Sequence, residues 1–175
     1  KMSGLLIGVG LLLTYGGIAR WVGRRNAADT QPDERHTFLT GDGWRLSIDR
    51  HKSAGAPTAV VVCCHGFGVN RITMDLAPGC SLAQALVAEG FEVWNVDLRG
   101  NGHSADPTGR PHTVDDHIER DVPAILDFVT RKAGVGQIHW VGHSMGGIVQ
   151  YAHLARNPDE TRVASVCAIA SPIVF

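Results

Sequence analysis

Gly142-His143-Ser144-Met145-Gly146-Gly147 decides how this chain is read. A short apolar run, Gln137-Ile138-His139-Trp140-Val141, precedes it, and a helical pattern of Ile148, Val149, Ala152 and Ala155 comes after it. Gly-x-Ser-x-Gly between a strand and a helix is the context of a nucleophile elbow. Without that context the same letters would make a Gly/Ser turn with no chemistry. The glycines have a mechanical reason. A serine on a strained strand-to-helix turn needs neighbours without Cβ, so that the backbone can crowd together and Oγ can stand clear. A helix starting at Met145 would aim unpaired N–H groups and its positive end at the same spot, which favours a developing oxyanion.

One domain fits 175 residues, and the apolar fraction of 44% suits a globular core. Sixteen basic residues nearly cancel 17 acidic ones, which argues against nucleic acid or a strongly acidic partner. The four cysteines do not form a disulfide pattern. Cys63 and Cys64 are neighbours on one apolar run, so their side chains face opposite ways, and Cys167 sits in another. Buried free thiols are expected. No Cys/His spacing suits zinc, and no repeat stands out.

Outward from the motif, the chain divides into three parts. Residues 1–25 hold an uncharged apolar run from Gly4 to Ala19, then Arg20, Trp21, Arg24 and Arg25. A membrane anchor is expected, with the arginines favouring a cytoplasmic position for the rest of the chain. A cleaved signal peptide and a buried N-terminal helix compete with it; the basic residues lie on the wrong side of the run for a signal peptide. Residues 26–35, polar and containing Pro32, read as a linker. Residues 36–175 form the domain.

Within the domain, Thr37–Thr40 and Trp44–Asp49 flank Gly41-Asp42-Gly43 as a β-hairpin. Thr58–Cys64 is a continuous β-branched run, the mark of a strand covered on both faces in a parallel sheet. Ser81–Glu89 predicts a helix stopped by Gly90, and Phe91–Val96 predicts the next strand. Val122, Ile125, Leu126 and Val129 give a helical stripe capped by Asp121, with Pro123 in the first turn and Gly134 at the end. The elbow strand and helix come next. Asn157-Pro158 breaks the chain, and Val163–Ala170 is a last apolar strand. A hairpin and then alternating strands and helices predict an α/β fold, a mainly parallel sheet with helices on both faces. Such sheets carry their sites at the carboxyl ends of the strands, where His65, Asp97 and Ser144 fall.

Three segments, His65-Gly66-Phe67-Gly68, Asp97-Leu98-Arg99-Gly100-Asn101-Gly102-His103-Ser104 and the elbow itself, each lie directly after a predicted strand. With them the chain, from about His36 onward, resembles the α/β-hydrolase family. Trp44-Arg45-Leu46, Ser81-Leu82-Ala83 and Val93-Trp94 look like its serine esterase and acid-lipase-like branch. The resemblance implies that Ser144 is the nucleophile and that the backbone N–H groups of Met145 and Phe67 form the oxyanion hole. His65 would brace its loop, with Gly66, Gly142 and Gly146 allowing close approach, and Asp97 and Arg99 would hold the loop after their strand. It implies an ester substrate, acyl-lipid-like by branch, with thioesters, amides and lactones open, and neither metal nor organic cofactor. A serine argues against the dehalogenase and epoxide-hydrolase branches, which use Asp.

The family order is Ser, then Asp or Glu, then His. The only histidine after Ser144 is His153, nine residues along the same helix and so about 13 Å away at 1.5 Å per residue, where a base needs roughly 3 Å. Asp159 and Glu160 read as solvated loop carboxylates. His143, His103 and His65 are remote substitutes as base. The expectation is a domain incomplete at its C-terminus, with the acid and histidine beyond residue 175. The alternatives are a membrane-tethered, non-catalytic binding or scaffold protein with this fold, and an inactive fragment.

Overall fold

The computed structural model describes residues 31–172, so the anchor expected over residues 1–25 lies outside the described residues. Among the described residues no helix is long and apolar enough to cross a membrane. Six strands form one sheet: β1 (Glu34–Leu39), β2 (Arg45–His51), β3 (Val60–Cys64), β4 (Glu92–Asp97), β5 (Ile138–His143) and β6 (Val163–Ile169). Their spatial order is β1-β2-β4-β3-β5-β6. β1 and β2 make the expected antiparallel hairpin and β2 runs antiparallel to β4, while the β4-β3-β5-β6 pairings are parallel. The linker is shorter than expected, because β1 already begins at Glu34, where Arg50 is its cross-strand partner.

The β-branched run of β3 is buried at every residue, as is β4. Their alternate side chains feed two separate cores. On one face Val62, Cys64, Trp94, Val96 and Trp140 pack with α2 (Val122–Ala133) and α3 (Met145–Arg156). On the other, Val61, Cys63 and Val93 pack with α1 (Leu82–Ala88). Cys63 and Cys64 therefore do face opposite ways, and both are buried thiols. The strand period of two makes this unavoidable when both faces carry helices.

Helix boundaries obey their local chemistry. Ser81 Oγ accepts the Gln84 N–H at 2.9 Å to start α1, and Gly90, at φ +87°, ends it. Gly134 ends α2 at φ +72°. The start of α2 differs from expectation. Asp121 is itself helical and caps nothing, because a helical turn at Val114–Asp116 and a π-helical segment at His117–Asp121 run directly into α2. The cap is Thr113, in a capping box with Asp116. A buried requirement overrides the capping preference: the Asp121 carboxylate is fully enclosed and takes Arg99 and His117.

β6 lies at the sheet edge and pairs β5 alone among the described strands. Ala164, Ser165, Cys167 and Ile169 on it are exposed, so Cys167 is not buried, and Cys80, in the loop before α1, is exposed as well.

Candidate active site

The loops after β3, β4 and β5 meet at one end of the sheet. Ser144 comes directly after β5 with φ +50° and ψ −117°. It and Ala170 are the only non-glycine residues with positive φ among the described residues. That conformation costs of order 1–3 kcal/mol and persists only where the surroundings over-determine it. They do so here through the glycines. A Cβ on Gly142 would collide with the backbone of Gly146 and Gly147, and one on Gly146 would lie 2.6 Å from the His65 carbonyl oxygen. The Ser144 N–H donates to the Ile169 carbonyl at 2.8 Å, and Trp140 Nε1 donates to the Gly146 carbonyl at 2.9 Å. The elbow is thus tied to β6 and to its own strand.

Helix α3 starts at once. The N–H groups of Gly147 and Ile148 return to the Ser144 carbonyl at 3.0 and 3.2 Å. The N–H groups of Met145 and Gly146 precede the first intrahelical bond and have no partner within the helix. The loop after β3 lies against this turn: a Cβ on Gly66 would be 3.2 Å from Ser144 Cβ and 3.0 Å from His143 Nδ1. Gly66, Gly146 and Ser144 are therefore brought together. Phe67, next in the loop, is 83% exposed, whereas Met145 is buried.

His65 is fully buried, and its contacts define its tautomer. Nε2 accepts the backbone N–H of Leu98 at 3.1 Å, so Nδ1 carries the proton and donates it to the Gly66 carbonyl at 2.8 Å. Burial also pushes its pKa below the ordinary histidine value, and the Gly66 hydrogen bond opposes this only in part. Both ring nitrogens are engaged and the ring is neutral. His65 thereby links the loop after β3 to the loop after β4.

Asp97 and Arg99 each bond to several groups around the loop after β4. Asp97, fully buried, accepts the backbone N–H of Arg71 at 2.8 Å and that of His103 at 2.8 Å, and pairs with the Arg71 guanidinium. Gly102, at φ +49°, is required there, since a Cβ would land on the Asp97 carboxylate. Arg99 joins Asp121 (2.7 Å) to Asp42 (3.1 Å), and its guanidinium lies 5.1 Å from the Trp44 ring centre. These long-range partners were not legible in the sequence, because no spacing rule links an arginine to carboxylates 22 and 57 residues away.

The other histidines go elsewhere. His103 is exposed and faces Arg71, with Nδ1 3.5 Å from Nη2. His153 is buried, with Nδ1 3.2 Å from the Ile118 carbonyl and Nε2 3.3 Å from Glu160. Glu160 is consequently not a solvated carboxylate. Its side chain is 6% exposed, and the Arg162 guanidinium and backbone N–H, helped by His153, hold its pKa at about 2 against the cost of burial. Asp159 is exposed, as expected. No group of three His, Cys, Asp or Glu side chains among the described residues is arranged to hold a metal. A cavity of about 670 Å³ opens between β1 and α2 around Phe38, Asp42, Arg120 and Asp127, and no elbow residue lines it.

The family described as "Serine aminopeptidase, S33" matches residues 55–174. The chain belongs to the α/β-hydrolase family. It is 30% identical over 175 residues to Lipase 3 of Drosophila melanogaster, covering 91% of this chain and 44% of that protein. It is 30% identical over 155 residues to the gastric triacylglycerol lipase of Homo sapiens, covering 79% of this chain and 39% of that protein. Among solved structures, an alpha-beta serine hydrolase homologue from Coxiella burnetii shares the fold with TM-score 0.63 at 20% identity, covering 85% of this chain and 67% of that one. Epoxide Hydrolase A from Mycobacterium thermoresistibile matches with TM-score 0.58 at 26% identity, covering 77% and 38%. The chain spans about two fifths of the length of these lipases.

Proposed function

We propose that this chain carries the nucleophile and oxyanion hole of a serine hydrolase acting on carboxylic esters with an acyl-lipid character. The observation that carries the reading is the strained backbone of Ser144 between β5 and α3, packed against Gly66. Ser144 Oγ attacks the ester carbonyl while its proton passes to a histidine that is not among those described around the elbow. The tetrahedral oxyanion is held by the Met145 and Phe67 N–H groups. Its collapse expels the alcohol, which takes the proton from that histidine and leaves an acyl-serine. Water then attacks the acyl-serine, and the carboxylic acid departs. No metal or organic cofactor enters these steps.

The lipase relatives support an acyl-lipid substrate. The likeness to an epoxide hydrolase carries less weight, because a serine hydroxyl at the elbow suits acyl transfer. The apolar run in residues 1–25 would anchor the protein to a membrane, with the domain on the cytoplasmic side.

A fluorophosphonate probe tests the reading. Labelling of the full-length protein that disappears in Ser144→Ala supports a serine nucleophile. A well-folded but unlabelled protein overturns it in favour of a non-catalytic binding or scaffold protein, a role consistent with the engagement of His65 and His153 in structural contacts.

A further inference from the structure

The loop that would supply the Phe67 N–H runs from His65 to a short 3₁₀ turn, Arg71–Met74. Phe67 is 83% exposed, and Gly68 and Val69 are exposed as well, so the span between Gly66 and Arg71 has little packing of its own. Its path depends on what grips its two ends. At the first end His65 is bonded to Leu98. At the second, Arg71 is 6% exposed and reaches carboxylates on two strands. Its backbone N–H donates to Asp97 Oδ1 at 2.8 Å, its Nη1 pairs with Asp97 Oδ2, and its Nε donates to Asp49 Oδ2 at 2.5 Å. Asp97 ends β4 and Asp49 lies on β2.

We infer that Arg71 is a positioning residue for the oxyanion hole: by bridging Asp97 and Asp49 it sets where the Phe67 N–H points. The inference rests on the reading of Ser144 as an acyl-transfer nucleophile. The physical reason is the planar fork of the guanidinium, which fixes the angle between two carboxylates as well as their distance. A lysine supplies one charge on a flexible stem and cannot reproduce that angle. An oxyanion donor displaced by even about 1 Å loses much of its selectivity for the transition state, while ground-state binding depends on it little.

The test is Arg71→Lys in the full-length protein, with folding monitored by circular dichroism and thermal melting. On a chromogenic ester, kcat should fall about 10- to 100-fold with KM within about twofold. The affinity of a boronic-acid transition-state analogue should weaken in proportion. A folded Arg71→Lys protein with unchanged kcat and unchanged analogue affinity overturns the inference. If Arg71→Lys does not fold, Asp49→Asn is read instead, because it frees one arm of the bridge and leaves Asp97 paired; Asp49 also takes Arg35 at 2.6 and 3.0 Å, so Arg35→Lys, which should leave kcat unchanged, is its control. The same split of kcat from KM is expected in Asp49→Asn, and its absence overturns the inference equally. Turnover that survives Ser144→Ala would instead sink the nucleophile assignment, a failure distinct from wild-type kcat in a Ser144-dependent Arg71→Lys enzyme.

Discussion

The backbone N–H of Leu98 donates to Nε2 of His65 at 3.1 Å, and this contact joins the loop after β3 to the loop after β4. It also keeps the imidazole neutral with its proton on Nδ1, because a protonated Nε2 could not accept. Burial depresses the pKa in the same direction. A histidine whose folded pKa lies below its unfolded value, about 6.5, contributes stability above that pH and loses it as pH falls toward the folded value. Urea midpoints measured from pH 8 to pH 5 should therefore decline below about pH 6.5, and the decline should be shallower in His65→Asn. Equal slopes in the two proteins would show that His65 is not the group responsible.

Ser144→Gly should separate activity from stability. Removing the side chain relieves a positive-φ strain of about 1–3 kcal/mol, offset by up to about 1 kcal/mol of added chain entropy in the unfolded state. Probe labelling should vanish while the protein becomes about 1 kcal/mol more stable by denaturant melting. A loss of stability would mean that the elbow is not strained.

Gly146→Ala should be poorly tolerated. Its new Cβ meets the backbone of Cys64 and His65, which cannot swing away as a side chain tip can. A cost of roughly 2–3 kcal/mol is expected, read as a drop in thermal midpoint. Gly136→Ala, where nothing lies within 4 Å, is the control and should change little.

The acid limit should involve Glu160. Its folded pKa of about 2 lies below the 4.5 of a free glutamate, so its stabilisation is complete above about pH 4.5 and is lost as pH falls toward 2. The largest contribution is at most about 3 kcal/mol. Glu160→Gln should lower stability at pH 7 and flatten the acid limb of the profile. Asp159→Asn, at an exposed position, should leave stability at pH 7 unchanged.

Thiol reactivity should follow burial. In the native protein Cys80 should react with a maleimide, while Cys63 and Cys64 should react only after unfolding. Burial pushes the Cys63 thiol up to about 12 and raises Cys64 as well, so neither offers thiolate at neutral pH. Mass spectrometry of the labelled peptides checks the assignment.

Most of the sheet could be read from local pattern. The β3 run announced a strand covered on both faces, Gly90 and Gly134 marked helix ends, and three loop motifs pointed to one end of the sheet. Each of these signals is a short-range rule, a period or a turn geometry that a few neighbouring residues obey by themselves. What failed were the polar assignments. Asp121 looked like a cap and Glu160 looked solvated. Asp121 is claimed by Arg99, 22 residues back, together with His117 one helical turn away. The partners of Glu160 are near in sequence, Arg162 two residues on and His153 seven back, but only the packing of the helix against the turn encloses them together.

By itself, then, the sequence determined the elbow, since Gly142, Ser144 and Gly146 carry their own conformational requirement wherever strand meets helix. Tertiary structure alone decided how the loops around Ser144 are held. Arg71 reaches Asp49 and Asp97, and Arg99 reaches Asp42 and Asp121, because buried charges must find opposite charges in space, and proximity in space has no period along the chain.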